Sequence, residues 1–235
     1  MGTSAQHGVA PAHQDVLERL IGWAKANPRK AAWPVVVLVI VGGLVAWNVV
    51  VGRSSEEAAS RSLGAARVAY ENENFSMAAS ELSQITANYS GTNAAQEATL
   101  LLANARIQQG QSQQAVDLLT KFSGSASGPY RAQAYALLGY ALENMVHPGD
   151  AAVAYQNASD HAPFPFLQAQ YLLDAGRAYS EAGDTTKAVA ALSKVITGMD
   201  STGYQTEARV RLGELTRGGW KDPKIVGAAG AAAHQ

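Results

Sequence analysis

The sequence predicts an all-α fold: one N-terminal transmembrane helix, then an α-solenoid of about four helix pairs closed by a capping helix. Three observations carry that class. An uncharged apolar run occupies residues 31–51. Beyond it, alanines recur every 36 to 37 residues, each heading an apolar stripe of helical period. Alanine, which favours helix and close helix approach, is abundant throughout, while cysteine is absent and charged residues make up only 16% of the 235.

Residues 1–13 are small and polar and are expected to be disordered. Residues 14–30 follow as an amphipathic juxtamembrane helix. Val16, Leu17, Leu20, Ile21 and Trp23 form its apolar stripe, with Arg19 and Lys25 off it. Two readings are open for this helix: it lies on the inner leaflet, or it docks on a neighbouring membrane protein.

The run Ala31 to Val51 has 21 residues, no charge and one polar side chain, Asn48. At the helical rise it spans roughly 30 Å, the thickness of the hydrocarbon core. Trp33 and Trp47 sit near its ends, where indoles favour the interface, and Arg29 and Lys30 flank it. A buried core helix of this length would carry some charge. A cleaved signal would be shorter, begin earlier and end in a small-residue site, so an uncleaved anchor is expected. Arg19, Lys25, Arg29 and Lys30 precede the span, against Arg53, Arg61 and Arg67 diluted by Glu56 and Glu57 after it. The bias places the N-terminus in the cytoplasm. The repeats are then expected on the periplasmic side of a bacterial inner membrane.

The repeat domain is expected over 54–217. Ala78, Ala115, Ala151 and Ala188 are 37, 36 and 37 residues apart. Four residues after each come Leu82, Leu119, Tyr155 and Leu192; three further on come Ile85, Phe122, Ala158 and Val195. That i, i+4, i+7 series is one buried helix face. In the preceding helices Ala65-Ala66, Leu102-Ala103, Leu138-Gly139 and Ala175-Gly176 take equivalent positions, and Leu212-Gly213 comes 37 residues after the last. Turns are read at Asn74-Phe75, Gly110-Gln111, Pro148-Gly149-Asp150 and Gly183-Asp184, with Asp150 and Asp184 as helix caps. Longer loops are read at 89–93 and 123–128. A lone helix, Gln205 to Thr216, closes the array. Residues 218–235 form a flexible tail, from which Trp220 is expected to fold back on the last helix, docking on a partner being the alternative.

These positions resemble the tetratricopeptide repeat. The third unit carries the motif most fully, with Tyr135, Leu138, Gly139, Ala151, Tyr155, Ala158 and Pro163; the fourth has Ala175, Gly176, Tyr179, Gly183, Asp184 and Ala188. The second departs from it, with Arg106 where a tyrosine is usual. Together with the anchor, the layout resembles single-span periplasmic tetratricopeptide proteins of the inner membrane, the ancillary subunit of the Sec translocon among them. The resemblance implies a protein–protein interaction scaffold whose groove, lined by the first helices, takes a peptide or helix of a partner. Its lining is expected to include Arg67, Tyr70, Glu71, Leu100, Asn104, Ile107, Gln108, Tyr140, Asn144 and Arg177. Some family members clamp a peptide carboxylate with lysine and asparagine; this lining has Asn104 and Asn144 but no lysine, which argues against such a clamp.

Residue chemistry points the same way. A net charge of −1 offers no basic field for nucleic acid. The five histidines are His7, His13, His147, His161 and His234, with no metal-ligand spacing, and no dinucleotide, P-loop or nucleophile-elbow motif occurs. No enzyme activity, cofactor, metal or small-molecule substrate is expected. Phe164, Phe166 and Tyr171 are expected to pack at the joint between the third and fourth units, a docking patch being the alternative. Two functions remain open: an accessory to an envelope translocation or assembly machine, and a stoichiometric structural subunit of a large respiratory or photosynthetic membrane complex.

Overall fold

The computed structural model describes residues 28–199 and 203–220, together with Gly22, Lys25 and Ala26. The expected N-terminal segment 1–13, most of the juxtamembrane helix and the tail beyond Trp220 lie outside the described residues. Within them the protein is all-helical, and it divides into two compact units between Ser54 and Ser55.

Helix α1 runs from Pro28 to Glu71, 44 residues. Pro28 occupies the first helical position, where its missing N–H costs nothing. The helix does not break at Gly52. Burial divides the helix instead. From Val36 to Val51 its large apolar side chains are exposed, and this is the one described helix long and apolar enough to cross a membrane. From Ser55 onward Ala59, Leu63, Ala66 and Ala69 are buried along one face, and the helix serves as the first of the repeat array. Trp33 and Trp47 are both exposed. Arg29 and Lys30 are helical residues of the first turn.

The array continues as α2 (Phe75–Asn88), α3 (Asn93–Gln108), α4 (Ser112–Ser125), α5 (Gly128–Asn144), α6 (Pro148–His161), α7 (Pro165–Glu181), α8 (Thr185–Gly198) and α9 (Gln205–Leu215). From α2 onward each helix packs on the next, and α3 also packs on α5; α1 joins α2 and α3 in one core through Ala59, Leu63, Ala66 and Ala69. The four alanines that set the repeat are each 0% exposed. A side chain larger than a methyl at those points would hold the paired helices apart.

The turns within pairs share one geometry. Glu73, Gly110, Val146 and Gly183 all have positive φ, at 58°, 74°, 62° and 79°. After each, an N–H returns to the carbonyl five residues back: Asn74 to Ala69, Gln111 to Arg106, His147 to Leu142 and Asp184 to Tyr179, at 2.8–3.0 Å. This is the Schellman termination, whose left-handed residue is best filled by glycine. The turn read at Pro148-Gly149-Asp150 therefore lies earlier, at 145–147. Pro148 already begins α6, so Asp150 is a first-turn residue and not the cap. Asp184 does cap its helix, accepting from the Lys187 N–H at 3.0 Å. The loop read at 123–128 shrinks to Ala126 and Ser127, because α4 continues through Ser125.

Helix starts are also capped across repeats. The Glu56 carboxylate accepts from the N–H groups of Asn93 and Ala94 at 2.8 and 2.9 Å, while Thr92 Oγ1 accepts from Ala95 at 3.0 Å. Three of the four orphan donors at the start of α3 are thereby satisfied. Gln96 Oε1 accepts from the Ser127 N–H and hydroxyl, at 2.9 and 3.0 Å, just before α5. At the end of the array Trp220 packs partly buried against the C-terminal core, and its N–H donates to Thr216 Oγ1 at 3.1 Å. The expected return of this residue to the last helix is seen.

Candidate functional site

A groove of about 390 Å³ lies against the first helices of the first three units. Its walls follow from helical period. On α1, Arg67, Tyr70 and Glu71 are three and four residues apart. On α3, Glu97, Leu100, Leu101 and Asn104 follow the i, i+3, i+4, i+7 series, and α5 adds Gln133 and Leu137. Five of the ten residues expected in a groove thus come together: Arg67, Tyr70, Glu71, Leu100 and Asn104. The Arg67 guanidinium is ion-paired to Glu97 across the two helices. Tyr70 meets Phe75 edge to face at 5.3 Å. Burial first, and the neighbouring Tyr140 phenol second, push the Tyr70 hydroxyl above its ordinary pKa.

The other five lie elsewhere. Ile107 is 7% exposed, in the core with Ala103, Leu119 and Ala141. It stands seven residues after Leu100, but α4 and α5 close over that turn of α3. Gln108 is exposed at the end of α3, its amide 3.4 Å from Asn104 Oδ1. Tyr140 and Asn144 are exposed on α5. They continue the stripe of Gln133 and Leu137 beyond the groove, so the same spacing, extended toward the start of α5, would have found those two lining residues.

Arg177 lies at a separate cavity of about 490 Å³ with Gly176, Leu192, Arg211 and Glu214. Its guanidinium reaches Glu143 at 2.8 Å, Glu181 at 3.1 Å and Asp174 at 3.8 Å, and the Tyr155 hydroxyl donates to Glu143 at 3.1 Å. Burial disfavours the Arg177 cation, but Glu143 and Glu181 outweigh it and hold its pKa above the ordinary value. Burial raises the Asp174 carboxyl, with Arg177 offsetting only part of the rise. Burial and then the Glu143 carboxylate push the Tyr155 phenol well above its usual range. Sequence reading missed Glu143, because it sits 34 residues before Arg177 on a different unit; Asp174 and Glu181 lie three and four residues away on α7, where helical spacing could have found them.

Two glycines fix the spacing of the last two pairs. A Cβ at Gly139 would lie 2.7–2.9 Å from three ring atoms of Tyr155, and one at Gly176 would lie 2.8 Å from Leu192 Cγ and Cδ2. At the equivalent Gly213 nothing lies within 4 Å; among the described residues no helix follows α9 to fill that space.

A family model described as a tetratricopeptide repeat-like domain matches residues 52–165, and a tetratricopeptide repeat model matches 170–197. Over those residues the array resembles tetratricopeptide repeats. Solved tetratricopeptide structures resemble it as well. One is a crystal structure of nearly identical TPR-like repeats from a Podosopora anserina protein named as a kinesin light chain. It is 20% identical, with a TM-score of 0.50, over 71% of this chain and 85% of that one. A single-substitution variant of that protein has the same identity and coverage at a TM-score of 0.49. At this identity the likeness shows the fold alone. No curated protein matches the chain.

Tetratricopeptide repeats are protein-interaction scaffolds and generally non-catalytic, and the groove's mixture of apolar and paired polar side chains is of that kind. Among the described residues, no group of three or more His, Asp or Glu side chains is placed to hold a metal. His161 ends α6, stacked at a tilt on Tyr135 at 5.4 Å. The aromatic cluster at the joint splits. Tyr171 is buried as expected, but Phe164 and Phe166 stack on each other at 5.7 Å and are about half exposed, because the extended Phe164 and the prolines beside it carry their rings off the core.

Proposed function

We propose that this protein is a membrane-anchored scaffold, held by the 31–51 segment in a bacterial inner membrane, that receives a peptide or helix of a partner protein in the groove between α1, α3 and α5. Its N-terminus is cytoplasmic and its repeats periplasmic, and it serves as an accessory to an envelope translocation or assembly machine. The groove carries this reading. Leu100, Leu101, Leu137 and Tyr70 offer apolar contact, while Asn104 and Gln133 offer donors and acceptors that fix a guest's register. The exposed apolar face of α1 from Val36 to Val51, with a tryptophan near each end, supports the anchor, and the resemblance to single-span periplasmic repeat proteins supports the setting.

The test is co-purification of the full chain in mild detergent, as wild type, as Tyr70→Ala with Leu137→Asp, and with residues 31–51 replaced by an unrelated span. The scaffold reading expects partners that are lost with the groove variant and kept with the substitute span. A stoichiometric membrane complex that survives the groove variant and vanishes with the substitute span would replace it with the structural-subunit reading.

A further inference from the structure

A second cavity, of about 600 Å³, lies on another side of α3 from the groove, where α2 and α4 end and α5 begins. Among the described residues, Arg131 is the sole charged one lining it. No carboxylate among the described residues ion-pairs with that guanidinium. It donates from Nη2 to the Ala126 carbonyl at 2.9 Å, and its buried Nε has no partner. A half-buried guanidinium with uncompensated charge, in a recess free of acids, is a site for an oxyanion, since carboxylate and phosphate match its planar donors.

The remaining wall adds a second requirement. Five hydroxyls line it, those of Thr86, Ser90, Thr99, Ser125 and Ser127, and all but that of Ser90 have committed their protons to the protein. Thr86 donates to the Ser83 carbonyl at 2.8 Å, Thr99 to Ala95 at 2.8 Å, Ser125 to Phe122 at 3.2 Å and Ser127 to Gln96 Oε1 at 3.0 Å. What they turn to the cavity is lone pairs. An anion alone would be repelled by them, whereas a ligand with its own O–H donors would be held. The Phe122 ring supplies one apolar surface beside them. The cavity volume falls in the range that takes a small ligand.

We propose that this recess binds a small hydroxylated anion of the sugar-acid or sugar-phosphate class, its charged group on Arg131 and its hydroxyls donating to Thr86, Thr99, Ser125 and Ser127. The site is independent of the partner groove and uses none of its residues.

Isothermal titration of the full chain in a non-sugar detergent tests this, with glucose 6-phosphate, glucuronate, inorganic phosphate and glucose as probes. Saturable one-to-one binding is expected for the first two, with phosphate and glucose each weaker by about tenfold or more. Arg131→Gln should weaken both sugar anions by about 10- to 100-fold, the worth of a hydrogen bond to a charged group. Thr86→Val and Ser125→Ala should weaken glucose 6-phosphate and leave phosphate unchanged. Binding of none of the probes overturns the site. Phosphate binding as tightly as glucose 6-phosphate overturns its hydroxyl half, and unchanged affinity in Arg131→Gln overturns its anionic half. Should Arg131→Gln fail to fold, Arg131→Lys takes its place: an affinity for the sugar anions equal to wild type in that variant, together with equal affinity in the two hydroxyl variants, overturns the proposal.

Discussion

Gly139→Ala puts the spacing of the paired helices to a direct test. In an exposed helix interior this change gains about 1 kcal/mol, because glycine is the poorer helix former. Here the new methyl would lie 2.7 Å from Tyr155 Cε1, 2.8 Å from Cζ and 2.9 Å from Cδ1. Overpacking of a filled core costs about 1–3 kcal/mol. The ring is not free to swing aside, because its hydroxyl donates to Glu143 at 3.1 Å, and a hydrogen bond to a charged group is worth about 1.5–3 kcal/mol. If part of that bond is lost as the ring shifts, the propensity gain is outweighed and the net destabilisation is about 1–3 kcal/mol. Gly176→Ala meets only the untethered end of Leu192 and should cost less. Gly213→Ala meets nothing and should stabilise by about 1 kcal/mol. The assay is urea unfolding of the full chain in mild detergent, followed by far-ultraviolet circular dichroism. Adding Tyr155→Leu to Gly139→Ala should remove most of the strain, read as a coupling of about 1 kcal/mol or more in the double-mutant cycle. Gly139→Ala as stable as wild type, or Gly213→Ala as damaging as Gly139→Ala, would refute the reasoning.

Further outcomes follow from the turns, caps and charges. Val146 is 83% exposed yet holds a left-handed φ of 62°, so Val146→Gly should stabilise by about 1 kcal/mol in the same unfolding assay. Glu56→Ala removes two charged acceptors from the start of α3 and should cost about 1–2 kcal/mol, with faster amide exchange at Asn93 and Ala94. Arg177→Met leaves the Glu143 and Asp174 carboxylates near each other without their cation; after allowance for their exposure the cost is about 1–3 kcal/mol at neutral pH, shrinking as the pH falls through the raised pKa of Asp174. Asp174 and Asp184 should give opposite pH signatures in thermal melts. The Asp174 pKa is raised in the fold, so its charged form opposes folding; Asp174→Asn should stabilise at neutral pH, and that advantage should vanish as pH drops through the folded pKa. The Asp184 pKa is lowered by the Lys187 side chain and backbone N–H. Its contribution is present above the unfolded carboxyl pKa and fades as pH falls through the folded one, so Asp184→Ala should destabilise at neutral pH and not in acid.

Helix, repeat and core face were legible because they rest on local period. Ala78, Ala115, Ala151 and Ala188 mark the points of closest approach, and the stripes four and seven residues on are buried, apart from the part-exposed Phe122. The turns were legible where glycine fills the left-handed position, at Gly110 and Gly183. Where Glu73 and Val146 fill it, they were read one and two residues late, at Asn74 and Pro148, since neither residue type advertises positive φ. Proline misled at Pro148, which begins a helix there and does not make the turn.

The sequence by itself therefore determined the class, the repeat length, the paired helices and the apolar stretch of α1, all of which follow from side-chain size and polarity at helical spacing. Only the tertiary structure decided which stripe residues line the groove, so that Leu100 borders it while Ile107, seven residues on, is sealed beneath α4 and α5. It alone placed Glu56 on the start of α3, brought Glu143 to Arg177, and left Arg131 without an acid among the described residues. Those outcomes depend on how far each repeat is rotated and shifted on the one before it. That register is set by the summed contacts of whole helix faces, and no single spacing along the chain encodes it.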